Sequence, residues 1–161
     1  LAWVALVQAH RRGVNFLLSV LVLVWAADVF AYFFGRAFGG RLVRVKLAAS
    51  ISPGKSWGGV FGGVFGVLIV ATVWCAADSQ LNLGSQSFYT LLAAQGWFVA
   101  LPALVFMSAM SVVGDLVESL VKRSAGMKDS SGLLPGHGGV LDRVDALLPT
   151  LPLAMMLVTW L

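Results

Sequence analysis

Long apolar segments decide what this chain can fold into. Residues 57–77 contain no charged side chain at all. A helix that crosses a bilayer needs about 20 consecutive apolar residues, so this run is long enough to span a membrane. Three further apolar segments of similar length occur at 14–34, 88–114 and 140–161. The sequence therefore predicts an all-α, polytopic transmembrane helix bundle with about four spans.

The composition agrees with a surface that faces lipid. Only 11% of the 161 residues are charged and 59% are hydrophobic, whereas a soluble domain carries about 25% charged residues. The single cysteine, Cys75, excludes an internal disulfide, and one cysteine with two histidines offers too few ligands for a structural zinc site. The length suits one membrane domain over residues 1–161.

Glycines recur at regular spacing in the uncharged segment, at Gly58, Gly62 and Gly66. Small residues four apart let another helix backbone approach closely. We interpret these glycines as packing residues rather than as a sign of catalysis. The helix that packs against these glycines could belong to a second copy of the chain, so a homodimer is one prediction from this pattern.

A polar stretch interrupts the apolar segments near the C-terminal end, at 119–145. One helical face just before and within it collects Asp115, Glu118, Ser119 and Lys122, because these residues are spaced i, i+3, i+4 and i+7. Carboxylates suit Mg²⁺, which binds through one or two of them plus substrate phosphates. Phosphoryl or nucleotidyl transfer is therefore one hypothesis, and a transporter or ion pathway with paired charges is the other.

A second polar segment, at 35–56, is rich in arginine and lysine. Its end, S-I-S-P-G-K-S-W, lacks the glycine that a P-loop needs at position 49, and Pro53 removes a backbone donor. We therefore reject a P-loop. A looser anion-binding loop fits better, in which Lys55, Ser56 and the N-terminus of the following helix donate to a phosphate.

The positions of the charges predict how the chain sits in the membrane. Every lysine and arginine except Arg11 and Arg12 falls on one side of the four predicted spans, and the positive-inside rule makes that side cytoplasmic. Such loops suit anionic headgroups and phosphates rather than nucleic acid. Asp28 lies inside the first span, where acidic residues usually face the bundle interior and carry a function, unless it is solvated at the interface.

The stretch at 119–145 resembles the signature of the phosphatidate cytidylyltransferases, S-x-x-K-R-x-x-x-x-K-D-x-x-x-x-[LIF]-P-G-H-G-G-x-x-D-R-x-D. Three further runs resemble family motifs, namely A-D-V-F-A-Y-F-F-G-R-A-F-G, S-I-S-P-G-K-S-W-G-G and G-D-L-V-E-S. The resemblance covers residues 24–161. Two departures stand out, since Val29 follows Asp28 where the family has a small or hydroxyl residue, and Gly58 replaces its glutamate. The family is also longer, so we expect this chain to be its C-terminal catalytic region without some N-terminal helices.

The resemblance implies that CTP and phosphatidate react to CDP-diacylglycerol and pyrophosphate with one or two Mg²⁺ ions. It implies two cytoplasmic catalytic loops at a bacterial inner membrane. The catalytic residues it implies are Asp115, Asp142, Asp145, Lys122 and Asp129, with Asp115 and Asp142 as metal ligands. The substrate-binding residues it implies are Lys55, Ser56, Arg123, Lys128, His137, Arg143 and Asp28. The competing hypotheses are a CTP-dependent lipid kinase and a non-catalytic membrane bundle or transporter.

Overall fold

The computed structural model describes residues 1–38, 46–48, 52–81, 84–127, 130–131 and 139–161, without the side chains of Phe38, Lys46, Ala48, Pro53 and Arg143. Most of these residues are helical. The helices are α1 (Ala2–Arg12), α2 (Val14–Phe38), α3 (Trp57–Leu81), α4 (Phe88–Ala94), α5 (Trp97–Ser124), α6 (Leu141–Val144) and α7 (Leu147–Trp160). The strands are β1 (Lys46–Ala48) and β2 (Ser52–Ser56).

Three of the helices are long and apolar enough to cross a membrane, namely α2, α3 and α5. The predicted membrane helix bundle is thereby confirmed. The fourth predicted span corresponds to α7, an apolar helix of 14 residues. At a rise of 1.5 Å per residue it is about 21 Å long, which is shorter than the hydrocarbon core of about 30 Å.

The third predicted segment, at 88–114, is not one helix. The structure divides it into α4 and α5 at Gln95 and Gly96, and Gly96 adopts a φ of 99° that side-chain-bearing residues rarely reach. Hydropathy continues through this break, which is why a reading of composition joins the two helices. Pro102 lies inside α5. The helix continues to Ser124, as the absence of a breaker before Gly126 predicts.

The segment at 35–56, predicted to be a loop throughout, contains regular structure at both ends. Helix α2 extends to Phe38, and β1 pairs with β2 in antiparallel fashion, with Lys46 opposite Ser56. Strand β2 leads directly into α3. The hydroxyl of Ser56 accepts a hydrogen bond from the backbone N–H of Gly59 at 3.2 Å, which caps the start of α3.

Helices α2 and α3 approach each other closely through the glycines of α3. A Cβ atom built on Gly66 would overlap the ring of Phe30 of α2, and one on Gly63, beside that row of glycines, would lie 2.8 Å from the backbone oxygen of Ala27. The packing interpretation is therefore confirmed, and α2 is the helix that packs against these glycines. They give no support to a homodimer, which stays a prediction.

We expect the Gly63→Leu variant to be markedly less stable than the wild type. The leucine meets backbone rather than a movable side chain, and overpacking of this kind costs about 1–3 kcal/mol. Thermal unfolding of the detergent-purified protein measures the loss. Val73→Leu is the matched control, because Val73 is an exposed residue of the same helix. Equal unfolding temperatures for the two variants would contradict the packing described here.

The buried core takes residues from α1, α2, α3, α4, α5 and α7. Phe16 of α2 contacts Phe88 of α4 edge-on, with ring centroids 6.0 Å apart. Leu104 of α5 and Ala154 of α7 are equally buried. This packing fixes α7 beside α5, which matters for the site because α6 and α7 carry its acidic residues.

A polar network holds together the end of the bundle where α2 begins and α3 ends, which is the end away from the acidic residues. Asp78, in the last turns of α3, accepts hydrogen bonds from Asn15 at 2.9 Å, from the backbone N–H of Ser87 at 3.1 Å and from Thr90 at 2.5 Å. The indole N–H of Trp74 donates to Asn15 at 3.0 Å. Asn15 and Asp78 thus satisfy each other's polar atoms, and their role is to join α2, α3 and α4.

Candidate active site

Three carboxylates meet where α5 passes the junction of α6 and α7. One oxygen each of Asp115, Glu118 and Asp145 lies within 4.8 Å of the others. Asp115 and Glu118 are one helical turn apart, while Asp145 reaches them because Gly114 lets the two segments touch. A Cβ atom on Gly114 would lie only 2.9 Å from the backbone oxygen of Asp145 and 2.8 Å from the ring of Pro149. We call Asp115, Glu118 and Asp145 the acidic group.

Glu118 is the residue of this group whose role the sequence left unassigned. Its side chain is only 8% exposed, and Oε2 pairs with the ammonium of Lys122 at 3.0 Å. Its other oxygen, Oε1, is buried without a hydrogen-bond partner among the described residues. A buried, unpaired carboxylate oxygen is costly, so the acidic group fits a cation with oxygen ligands. The available sequence signal was the shared helical face with Asp115 and Lys122.

Asp142 lies beside the acidic group and is saturated by donors from its own chain. Its Oδ1 accepts from the ammonium of Lys122 at 2.5 Å, and its Oδ2 accepts from the backbone N–H of Gly139 at 2.6 Å and the hydroxyl of Ser130 at 2.9 Å. Lys122 and then the Gly139 N–H hold the pKa of Asp142 well below its usual range. Lys122 itself lies between Glu118 and Asp142.

Asp145 has the opposite electrostatic setting. Burial, and then the negative charges of Asp115 and Asp28, raise its pKa above the usual value, although the backbone N–H of Ala146 donates to it at 2.7 Å. Gathering several carboxylates with few donors is unfavourable unless a cation or a proton compensates their charge. The fold places Asp145 in the acidic group with Asp115, and Asp142 outside that group.

A cavity of about 600 Å³ opens next to the acidic group, between α2, β2, α3 and α5. Its polar lining includes the residues predicted from three separate segments, namely Asp28, Lys55, Ser56 and Asp115. Apolar residues such as Val60 and Val112 line it as well. Asp115 belongs to both the cavity and the acidic group, so the two form one continuous site.

Among the described residues, two basic side chains line the cavity. The ammonium of Lys55 forms an ion pair with Oδ2 of Asp115. Arg36, which the sequence analysis did not select, instead donates to the hydroxyl of Tyr32 at 3.2 Å. Both cations thus lie on the wall of the cavity, where they can meet an anion.

The remaining predicted site residues divide into two sets. Arg123 follows Lys122 near the C-terminal end of α5 and is exposed. Lys128, Asp129 and His137 lie outside the described residues, as does the side chain of Arg143, whose backbone belongs to α6. Their predicted roles stay predictions.

Comparison with known proteins gives one consistent result. The family model described as the cytidylyltransferase family matches residues 1–161. The chain is 47% identical over 141 residues to the phosphatidate cytidylyltransferase of Haemophilus influenzae, covering 88% of this chain and 44% of that protein. It is 43% identical over 153 residues to that of Pseudomonas aeruginosa, covering 94% of the chain and 51% of the relative. The chain thus spans about half the length of the curated relatives it matches.

Proposed function

The chain belongs to the cytidylyltransferase family, and we propose that it carries the catalytic region of a phosphatidate cytidylyltransferase. The proposed reaction joins CTP to phosphatidate and gives CDP-diacylglycerol and pyrophosphate. The observation that carries this proposal is the meeting of the acidic group with the cavity at Asp115, in a chain whose long helices are apolar enough to cross a membrane.

The cavity suits an amphiphilic substrate. Its lining offers the cations of Arg36 and Lys55 to a phosphate and the side chains of Val60 and Val112 to apolar groups. Phosphatidate combines a phosphate with acyl chains, so it matches both kinds of lining residue. The acidic group, which adjoins the cavity at Asp115, would then face the triphosphate of CTP.

We further propose that Asp115, Glu118 and Asp145 hold Mg²⁺. Their all-oxygen donor set suits this ion, and the unpartnered Oε1 of Glu118 gives it a reason to bind there. When bound, the ion supplies positive charge that neutralises phosphate oxygens. Asp142 would hold Lys122, Ser130 and Gly139 in place beside the acidic group.

The chemistry requires little beyond positioning and charge neutralisation. A phosphate oxygen of phosphatidate attacks the α-phosphorus of CTP, a new P–O bond forms, and the bond between the α-phosphorus and the bridging oxygen breaks to release pyrophosphate. The attacking phosphate is an anion near neutral pH, so no strong general base is needed. Lys55 and Arg36 would hold the attacking phosphate in position in the cavity.

The orientation follows from the same basic residues. Arg36 and Lys55 lie at the end of the bundle that carries the acidic group, together with Lys122 and Arg123. We propose that this end faces the cytoplasm, by the positive-inside rule, and that the membrane is the bacterial inner membrane. CTP would then reach the site from the cytoplasm.

A product analysis tests the proposed function. We expect the purified protein to convert labelled CTP and phosphatidate to CDP-diacylglycerol with equimolar pyrophosphate when Mg²⁺ is present, and to stop when EDTA removes the metal. Release of CDP and a phosphorylated lipid would instead indicate a CTP-dependent lipid kinase. The absence of both sets of products would indicate a non-catalytic membrane bundle.

A further inference from the structure

Lys55 lies between the two ligands that the site is proposed to bind. Its ammonium contacts Oδ2 of Asp115, and both side chains are partly exposed, at 24% and 33%. The same lysine lines the cavity. It is therefore placed to interact either with the acidic group or with an anion in the cavity.

The oxygens of Asp115 are already engaged. Oδ1 accepts a hydrogen bond from the hydroxyl of Ser119 at 3.3 Å, and Oδ2 holds Lys55. A divalent cation held by Asp115 would compete with the lysine for the same carboxylate and repel its ammonium. Lysine has a long, flexible stem, so its charge can move to a new partner without a change of backbone.

We propose that Lys55 is an exchangeable counter-charge for Asp115, which competes with a divalent cation and, once displaced, binds substrate phosphate in the cavity. This inference rests on the proposed function for the identity of the two ligands. It makes metal and phosphate mutually supporting, because the metal frees Lys55 to bind phosphate and the phosphate draws Lys55 away from the carboxylate that the metal needs. Such coupling is reciprocal by thermodynamic necessity.

Arg36 provides the comparison that isolates this effect. It lines the same cavity and carries the same charge, but its guanidinium donates to the hydroxyl of Tyr32 rather than to a carboxylate. Removal of either residue takes away one positive charge near the site. Only the removal of Lys55 frees an oxygen of the acidic group.

The test is Mn²⁺ binding to the purified protein without nucleotide or lipid, followed by electron paramagnetic resonance. We expect Lys55→Met to bind Mn²⁺ about tenfold more tightly than the wild type, since a competing charge is lost. Arg36→Met should change the affinity by less than about twofold, because its charge acts only through the solvent-screened cavity. Lys55→Arg, which keeps the charge, should stay near the wild type. Thermal unfolding confirms that each variant is folded.

Three results would overturn the inference: Mn²⁺ binding to Lys55→Met that is unchanged or weaker, an equal gain in Arg36→Met, or no binding to the wild type. A second measurement adds inorganic phosphate to the titration. Phosphate should strengthen Mn²⁺ binding more in the wild type than in Lys55→Met, and an equal gain in both would remove the phosphate half of the proposal. None of these readouts uses turnover, so a failure here leaves the product analysis of the proposed function unaffected.

Discussion

Asp145→Asn should lower the rate of CDP-diacylglycerol formation by at least about 100-fold, because even partners of metal ligands typically contribute about 10–100-fold. The substitution removes one of the three carboxylates that lie within 4.8 Å of one another. It preserves the shape of the side chain and an oxygen that can accept from the Ala146 N–H, which donates at 2.7 Å in the wild type. The fold should therefore survive while the charge that holds the cation is lost.

The measurement combines initial rates with Mn²⁺ affinity, and both should fall together. Asp78→Asn is the control, since Asp78 is also a carboxylate bonded by several donors but lies at the opposite end of the bundle. Its turnover per folded molecule and its Mn²⁺ affinity should match the wild type. Wild-type Mn²⁺ affinity in Asp145→Asn would show that Asp145 does not hold the metal.

The helical face on α5 could be predicted from spacing alone. Asp115, Glu118 and Lys122 lie within two turns of one helix, so their grouping depends only on local geometry. The ion pair of Glu118 with Lys122 at 3.0 Å bears this out. What spacing could not supply was the burial of Glu118, which depends on the segments packed against it.

Only the tertiary structure shows that Asp145, and not Asp142, lies in the acidic group. Both residues share one face at i, i+3, so periodicity does not rank them. The close contact of Gly114 with the Asp145 backbone places Asp145 beside α5, while the N–H of Gly139 donates a hydrogen bond to Asp142. Both are long-range or loop effects without a periodic signature.

The errors in the predicted fold have similarly physical causes. The break at Gly96 depends on one backbone angle and leaves hydropathy unchanged. The hairpin of β1 and β2 consists of strands of 3 and 5 residues in a basic segment, too short to show an alternating pattern. The resemblance to a family implied that Lys55 and Asp115 serve one site, but their ion pair was not predicted, because no local rule relates residues so far apart.

Asp142→Ala should lower turnover by about 10–100-fold, as expected for a residue that orients the site, with Mn²⁺ affinity largely retained. The alanine removes the acceptor for Lys122, for the hydroxyl and N–H of Ser130, and for the N–H of Gly139. Amide hydrogen exchange should therefore accelerate at Ser130 and Gly139. The ion pair of Lys122 with Glu118 remains, so the helix end should stay intact.

Asp142→Asn separates the two roles that this residue could have. Asparagine keeps an acceptor oxygen for some of the same donors, so an anchoring role predicts that it retains more turnover than the alanine variant. A role as metal ligand, which resemblance to the family implies, predicts that both variants lose Mn²⁺ as completely as Asp145→Asn does. Since both oxygens of Asp142 already accept from the chain's own donors, a cation could use them only by breaking those contacts. We therefore expect Asp142→Asn to retain more turnover than Asp142→Ala, and both variants to keep most of their Mn²⁺ affinity.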